Sequence, residues 1–278
     1  MNKIVLKALI MVILILNGCI SPLDTNTTTT PKEETSTIDT NNDDSWYRPK
    51  QGTTWQWQLS GTINTDYTVD LYDIDLSETP QTVIDELHSR DINVICYFSA
   101  GSVENYREDA KDFPDEVIGK PLENWPDEKW LDISHYALFA DSIKKRLDLA
   151  MQKGCDGVEP DNSDGYQNDT GFDLTYEDQL NYNKWLAEEA HKRNLSIALK
   201  NDLEQVDDLV NYFDFAINEH CFYYDECEKL LPFIEQDKAV LGVEYELDPN
   251  EFCEEANRLN FSWLKMNDTL DGRRLSCK

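Results

Sequence analysis

The segment Gly157-Val158-Glu159-Pro160-Asp161-Asn162-Ser163-Asp164 sets three acids at the end of a short apolar run. Pro160 prevents a helix there, so Gly157–Glu159 reads as a strand that stops among carboxylates. Acids crowded at a strand exit hold a proton, a cation or a sugar hydroxyl. Glu159 and Asp161 are two apart and face the same side of a strand. Polar groups recur after other apolar runs: Asp70, Asp73 and Asp75; Ser99-Ala100-Gly101-Ser102; Lys200-Asn201-Asp202; Asn218-Glu219; Glu244-Tyr245; and Lys265. Two carboxylates from different strands are the minimum equipment for glycoside hydrolysis. One protonates the leaving oxygen, and the other attacks the anomeric carbon or activates water. Trp55, Trp57, Tyr72, Tyr97, Tyr166 and Tyr245 lie in or beside the same strands. Each is either a face for a sugar ring or ordinary core packing.

Eight short β-rich runs carry these groups: Trp55–Leu59, Tyr67–Leu71, Asn93–Ser99, Gly157–Glu159, Ser196–Lys200, Phe215–Asn218, Ala239–Glu244 and Phe261–Lys265. Helical patterns separate several of them. Thr79-Pro80 opens one as cap and first-turn proline, running to about Ser89. Ser134 to Lys153 carries Ile143, Leu147 and Ala150 on one stripe and ends at Gly154. Thr175-Tyr176-Glu177-Asp178 opens a third. Strands alternating with helices predict the α/β class, specifically a (βα)8 TIM barrel, whose active site lies at the C-terminal ends of the strands. An open doubly wound sheet is the other reading, but no Gly-x-Gly-x-x-Gly turn follows the first run.

The ends and the charge bound the setting. Lys3 and Lys7 precede the apolar run Ala8–Leu16, which is too short to span a bilayer and fits a signal peptide. Leu16-Asn17-Gly18-Cys19 resembles a lipobox, which implies cleavage before Cys19 and lipid on its sulfur. Ordinary secretion with cleavage nearby is the alternative. The expected organisation is a signal at 1–18, a flexible tether at 19–45 rich in Thr, Asn, Asp, Glu and Ser, and one domain at 46–278. This makes the protein an extracytoplasmic surface lipoprotein that meets the membrane through Cys19.

The net charge is −30, and about −32 once Lys3 and Lys7 are removed. That argues against nucleic acid as a partner and favours cationic polymers. Outside the cytoplasm the six remaining cysteines can bridge. Chain proximity suggests Cys221–Cys227 and Cys253–Cys277, with Cys96 and Cys155 as buried thiols. The cysteine and histidine spacing does not suggest zinc. Asp161-Asn162-Ser163-Asp164-Gly165 resembles the start of a calcium loop, but Phe172 occupies the position where an EF-hand needs Glu.

An ordered series of motifs resembles one family. They are Trp55-Gln56-Trp57-Gln58-Leu59, Asp70-Leu71-Tyr72-Asp73-Ile74-Asp75, Cys96-Tyr97-Phe98-Ser99-Ala100-Gly101-Ser102, Gly157-Val158-Glu159-Pro160-Asp161-Asn162, Leu199-Lys200-Asn201, Asn218-Glu219-His220-Cys221 and Glu244-Tyr245. The chain is similar to glycoside hydrolase family 114, the endo-α-1,4-polygalactosaminidases, over about residues 46–278. The resemblance implies a (βα)8 barrel that cuts α-1,4-linked galactosamine polymers without metal or organic cofactor. It implies Asp161 as nucleophile or base and Glu219 as general acid. Glu159 is a rival for the fourth-exit role, or a structural acid tied to backbone amides or Lys200. Trp57, Asp73, Asp75, Tyr97, Asn162, Lys200, Asn201, Glu244 and Tyr245 are the expected substrate-binding or supporting groups. Asp73 and Asp75 are alternatively caps for the loop before Thr79, and Lys200 a neutraliser of the acids. Asp164 and Asp169 are expected to face solvent. A non-catalytic carbohydrate-binding lipoprotein and a hydrolase of another α-linked glycan are the competing readings.

Overall fold

The computed structural model describes residues 46–278. The signal segment, Cys19 and the tether through residue 45 lie outside the described residues. Eight parallel strands run in chain order round the domain: β1 (Trp55–Gln58), β2 (Leu71–Asp75), β3 (Asn93–Ser99), β7 (Gly157–Asp161), β8 (Ser196–Lys200), β9 (Phe215–Glu219), β10 (Val240–Glu244) and β11 (Ser262–Met266). Helices cover the outside: α1 (Gln81–His88), α2 (Ala140–Lys153), α3 (Tyr176–His191), α4 (Val206–Leu209), α5 (Leu231–Glu235) and α6 (Pro249–Arg258). This is the TIM-barrel fold that the alternation predicted. Its seam carries an extra piece. β12 (Arg274–Ser276) pairs antiparallel with β11. Leu59 N–H donates to Leu270 O, and Gln56 bonds both Gly272 O and Arg274. Residues 270–276 thus join the last strand to the first.

Strand parity makes two cores. Trp55, Trp57, Leu71, Ile95, Ala198, Phe215, Ile217, Leu241, Val243, Leu264 and Met266 fill the barrel interior. Tyr72, Ile74, Val94, Cys96, Val158, Ile197 and Leu199 face outward and pack with helix residues such as Ile143, Leu147 and Leu186. Burying an aliphatic or aromatic side chain of this kind contributes roughly 1.5–3 kcal/mol, so both layers hold the strands in register. Alternation then dictates which residues look inward at the top of each strand.

Local signals agree with the helices. Thr175 and Asp178 form a reciprocal capping box at the start of α3. Gly154 ends α2 at φ 77°, the left-handed position that glycine favours. The predicted helix from Ser134 breaks at Phe139, with a 3-10 stretch over Ile133–Leu138 before α2. β2 lies four residues later than expected, because Asp73 and Asp75 belong to the strand itself. Asp70 is therefore at its N-terminal end, away from the exits, where Thr54 bonds it.

Between β3 and α2 the chain inserts a small antiparallel sheet that the sequence pattern did not reveal, with β4 (Ser102–Glu104), β5 (Ile118–Pro121) and β6 (Glu128–Leu131) in the order β4-β6-β5. It stands over the mouth of the barrel.

Three disulfides are present among the described residues. Cys221–Cys227 and Cys253–Cys277 follow chain proximity. Cys96 and Cys155 are not free thiols but form the third bridge. β3 and β7 are ladder neighbours with Cys96 opposite Val158, which brings Cys155 alongside despite a sequence separation of 59. Closing a loop of that length stabilises by about 4 kcal/mol.

Candidate active site

Lys200 ends β8 pointing inward and is 2% exposed. A buried ammonium is tolerable only among opposite charges. Its Nζ lies 3.1 Å from Glu159 Oε1, 2.9 Å from Asp161 Oδ1 and 3.4 Å from Glu219 Oε2. It also sits 5.0 Å from the Trp57 ring centroid. Burial works against its charge, but Asp161, Glu159 and Glu219 together hold its pKa well above the usual lysine value. One cation therefore gathers the acids of β7 and β9.

The acids then differ by depth. Asp161 is partly exposed at the strand end. It accepts from Lys200, from the Tyr97 hydroxyl at 3.1 Å and from the Asn162 backbone N–H at 2.8 Å. Glu219 is similarly reachable. The Tyr245 hydroxyl donates to its Oε1 at 2.6 Å, and the Asn201 amide donates to Oε2 at 3.4 Å. Glu159 lies fully buried beneath them and takes the Trp57 indole N–H at 3.1 Å. Burial pushes Glu159 up to about 7 against the pull of Lys200. Asp73 is deeper still. Burial first, then the charge of Glu159, hold its carboxyl well above the usual range.

The residues just past the strands fix the rim. Asn162 and Asn201 both adopt positive φ, the left-handed turn that Asn tolerates. Asn201 Oδ1 accepts from the Glu219 backbone N–H at 3.0 Å. The Asn162 side chain points to the inserted sheet, donating to Ser99, Ser102 and Glu128. A Cβ on Gly101 would lie 1.7 Å from Asn162 O, so only glycine fits where β3 meets the exit of β7. Asp75 is tied to Arg107 and to the backbone N–H groups of Ser77 and Glu78. It caps the following loop, as its alternative reading held, while still lining the cleft.

A cleft of about 700 Å³ opens above this group. Trp57, Tyr97, Asp161, Asn162, Lys200, Asn201, Glu219 and Tyr245 all line it. A second basin of about 250 Å³ adjoins it and shares Asp164, Asn201, Glu219 and His220. Space for ligand thus extends on both sides of Glu219. Two expected residues do not face it. Asp73 lies below the floor. Glu244 has the parity of Gly242 and Val240, opposite to Val243 and Tyr245, and is wholly buried. It accepts the Phe222 backbone N–H at 2.9 Å and so anchors the loop after Glu219. Among the predicted aromatics, Trp55 and Tyr72 are core residues.

Asp164 corrects the expectation in the other direction. It is only partly exposed and lines both basins. Burial and the nearby Asp161 charge push its carboxyl up to about 6. Asp169 does face solvent, paired with Lys120. Residues that sequence reasoning missed include Glu128, Tyr106 and Trp125, all on or beside the inserted sheet. Trp125 is 59% exposed and lines the cleft. Among the described residues no group of three or more His, Cys, Asp and Glu side chains is placed to hold a metal ion.

Comparison with known proteins agrees with this architecture. Residues 35–278 match the model of glycoside-hydrolase family GH114. A crystal structure of Ega3 from Aspergillus fumigatus in complex with galactosamine is 39% identical, with a TM-score of 0.79, covering 83% of this chain and 97% of that one. The glycoside hydrolase domain of PelA from Pseudomonas aeruginosa is 13% identical, with a TM-score of 0.62, covering 80% and 97%, and it shares the fold. A comparison with curated protein sequences gives no match.

Proposed function

The chain belongs to glycoside-hydrolase family GH114 and is an endo-acting glycoside hydrolase, and we propose that it cuts internal α-1,4 bonds of a galactosamine polymer with Asp161 and Glu219. The observation that carries the pairing is the single ammonium of Lys200, which both carboxylates share from the strand exits on either side of β8. Asp161, the carboxylate that the family motif places at the fourth exit, attacks the anomeric carbon, held in place by Lys200, Tyr97 and the Asn162 N–H. Glu219 protonates the leaving oxygen and then takes a proton from the incoming water. Glu159 supports the pair from below and is too buried to reach substrate. Contacts of 2.9 and 3.4 Å to one nitrogen keep the facing oxygens of Asp161 and Glu219 closer than the about 6.5 Å at which inverting pairs begin. That supports retention through a covalent glycosyl-enzyme. Basins on both sides of Glu219 suit an internal bond. The bound galactosamine of the Aspergillus relative supports the amino sugar, as does the acid-rich cleft.

Digestion of a partly deacetylated α-1,4-galactosamine polymer tests this reading. Wild-type protein is expected to shorten it, with newly formed ends in the α configuration by NMR in the first minutes. Asp161→Asn and Glu219→Gln should each lower turnover at least about a hundredfold with unfolding midpoints retained. Full activity in both variants would sink the assignment. Binding of polymer without shortening would favour a carbohydrate-binding role.

We further propose that residues 1–18 are a signal, that Cys19 carries lipid and that 19–45 tether the domain at the cell surface. The lipobox-like Leu16-Asn17-Gly18-Cys19 supports this. Metabolic labelling with a radioactive fatty acid should mark the wild-type chain and not Cys19→Ser. Equal labelling of both would refute the anchor.

A further inference from the structure

Several carboxylates in and beneath the cleft are neutralised by the protein's own cations. Lys200 serves Glu159, Asp161 and Glu219, and Arg107 serves Asp75 and Glu104. Glu128 is different. It enters the cleft from the start of β6. Ser102 and the Asn162 side chain both bond its Oε1, the latter at 2.8 Å. The charges that act most on it are those of Asp161 and Glu104, and neither is a cation. Burial and Asp161 push its carboxyl up to about 7. A cation beside it would favour its charged form. The protein bonds fall on Oε1, which leaves Oε2 for such a ligand.

Position narrows the ligand. Asn162 follows Asp161 directly and ties Glu128 to the exit of β7. In galactosamine the amine stands on the carbon next to the anomeric carbon. A sugar presenting its anomeric carbon to Asp161 therefore carries its ammonium group within a bond or two of the reacting centre. We propose that Glu128 selects the free amine of the sugar unit whose anomeric carbon faces Asp161. The inference rests on the galactosamine reading and on Asp161 as the attacking group. An N-acetyl group at the same place offers one neutral amide N–H in place of the ammonium, so the charge-assisted part of the contact is lost. Cleavage then follows the acetylation pattern of the polymer, unit by unit.

Each cut leaves that unit as the new reducing end, so product ends report the choice. A half-acetylated α-1,4-galactosamine polymer is digested, and the reducing-end units are identified by mass spectrometry after reduction. With wild-type protein, free-amine ends should outnumber acetylated ends by about ten to one, against one to one in the polymer, the worth of one charge-assisted contact. Glu128→Gln keeps an acceptor for Ser102 and Asn162 and loses the charge. It should bring the ends back toward the polymer's own composition, whatever its rate. A role in positioning alone would lower the rate and leave end composition unchanged, which overturns the inference. So do wild-type ends that match the polymer, a result that decides the matter even where the variant fails to fold. Wild-type protein that does not cut the polymer at all overturns the galactosamine reading as well.

Discussion

Asp73 shows how far one residue can be displaced from the role its position suggests. It points inward like the catalytic candidates, yet it lies at the bottom of the acid group with no exposure. Burial and Glu159 hold its pKa well above the ordinary value. In the unfolded chain it ionises near pH 4. Between that pH and its folded pKa the native state binds the extra proton, so stability falls as pH rises. Asp73→Asn removes the ionisation and keeps the size. Its stabilisation should be near zero at pH 4 and grow toward pH 8, by up to about 1.4 kcal/mol for each unit of pH crossed below the folded pKa. Calorimetric unfolding of both proteins across that range checks it. A gain as large at pH 4 as at pH 8 would contradict the argument. At this scale the sequence was readable where strand parity applied. Glu159, Asp161, Lys200, Glu219 and Tyr245 share the inward set, whereas Glu244, expected in the site from the Glu244-Tyr245 motif, has the other parity and turns outward. Glu128 carried no such signal, because its neighbours in space, Asn162 and Ser102, are far from it in sequence.

At the scale of elements, eight apolar runs were enough to predict the barrel, since each strand had to be buried on both sides. Boundaries moved where function opposed propensity. Asp73 and Asp75 resemble turn residues, so β2 was placed too early, although the inner face of a barrel is where a site installs acids. The inserted sheet β4-β6-β5 was invisible for a different reason. Its strands are three or four residues long, too short for a period to show. The Cys96–Cys155 bridge was likewise hidden, because the ladder between β3 and β7, and not chain proximity, brings the sulfurs together. The inserted sheet matters most for the candidate site. It supplies Glu128 and, on the turn before β6, Trp125, so one wall of the cleft comes from residues that no barrel strand contributes.

The whole molecule adds a field to these local contacts. Fifty-five Asp and Glu oppose twenty-five Lys and Arg, and several of those cations are spent on internal pairs such as Lys200 and Arg107. The cleft remains lined by Asp164, Glu128 and Asp268 outside those pairs, while Glu204 and Glu226 of the adjoining basin share Lys229. A polycation is drawn toward such a surface over distances set by the Debye length, about 10 Å at 0.1 M salt and about 30 Å at 0.01 M. Salt therefore acts on encounter and binding more than on the Lys200 ammonium, which lies buried in direct contact with its acids. For a deacetylated galactosamine polymer, KM should rise roughly tenfold between 0.01 M and 0.5 M sodium chloride, while kcat changes little. An N-acetylated polymer lacks the charge and should show a nearly constant KM. Initial rates on the two polymers across a salt series separate these effects. If KM for both climbs alike, the acidic surface serves solubility and the field plays no part in capturing substrate.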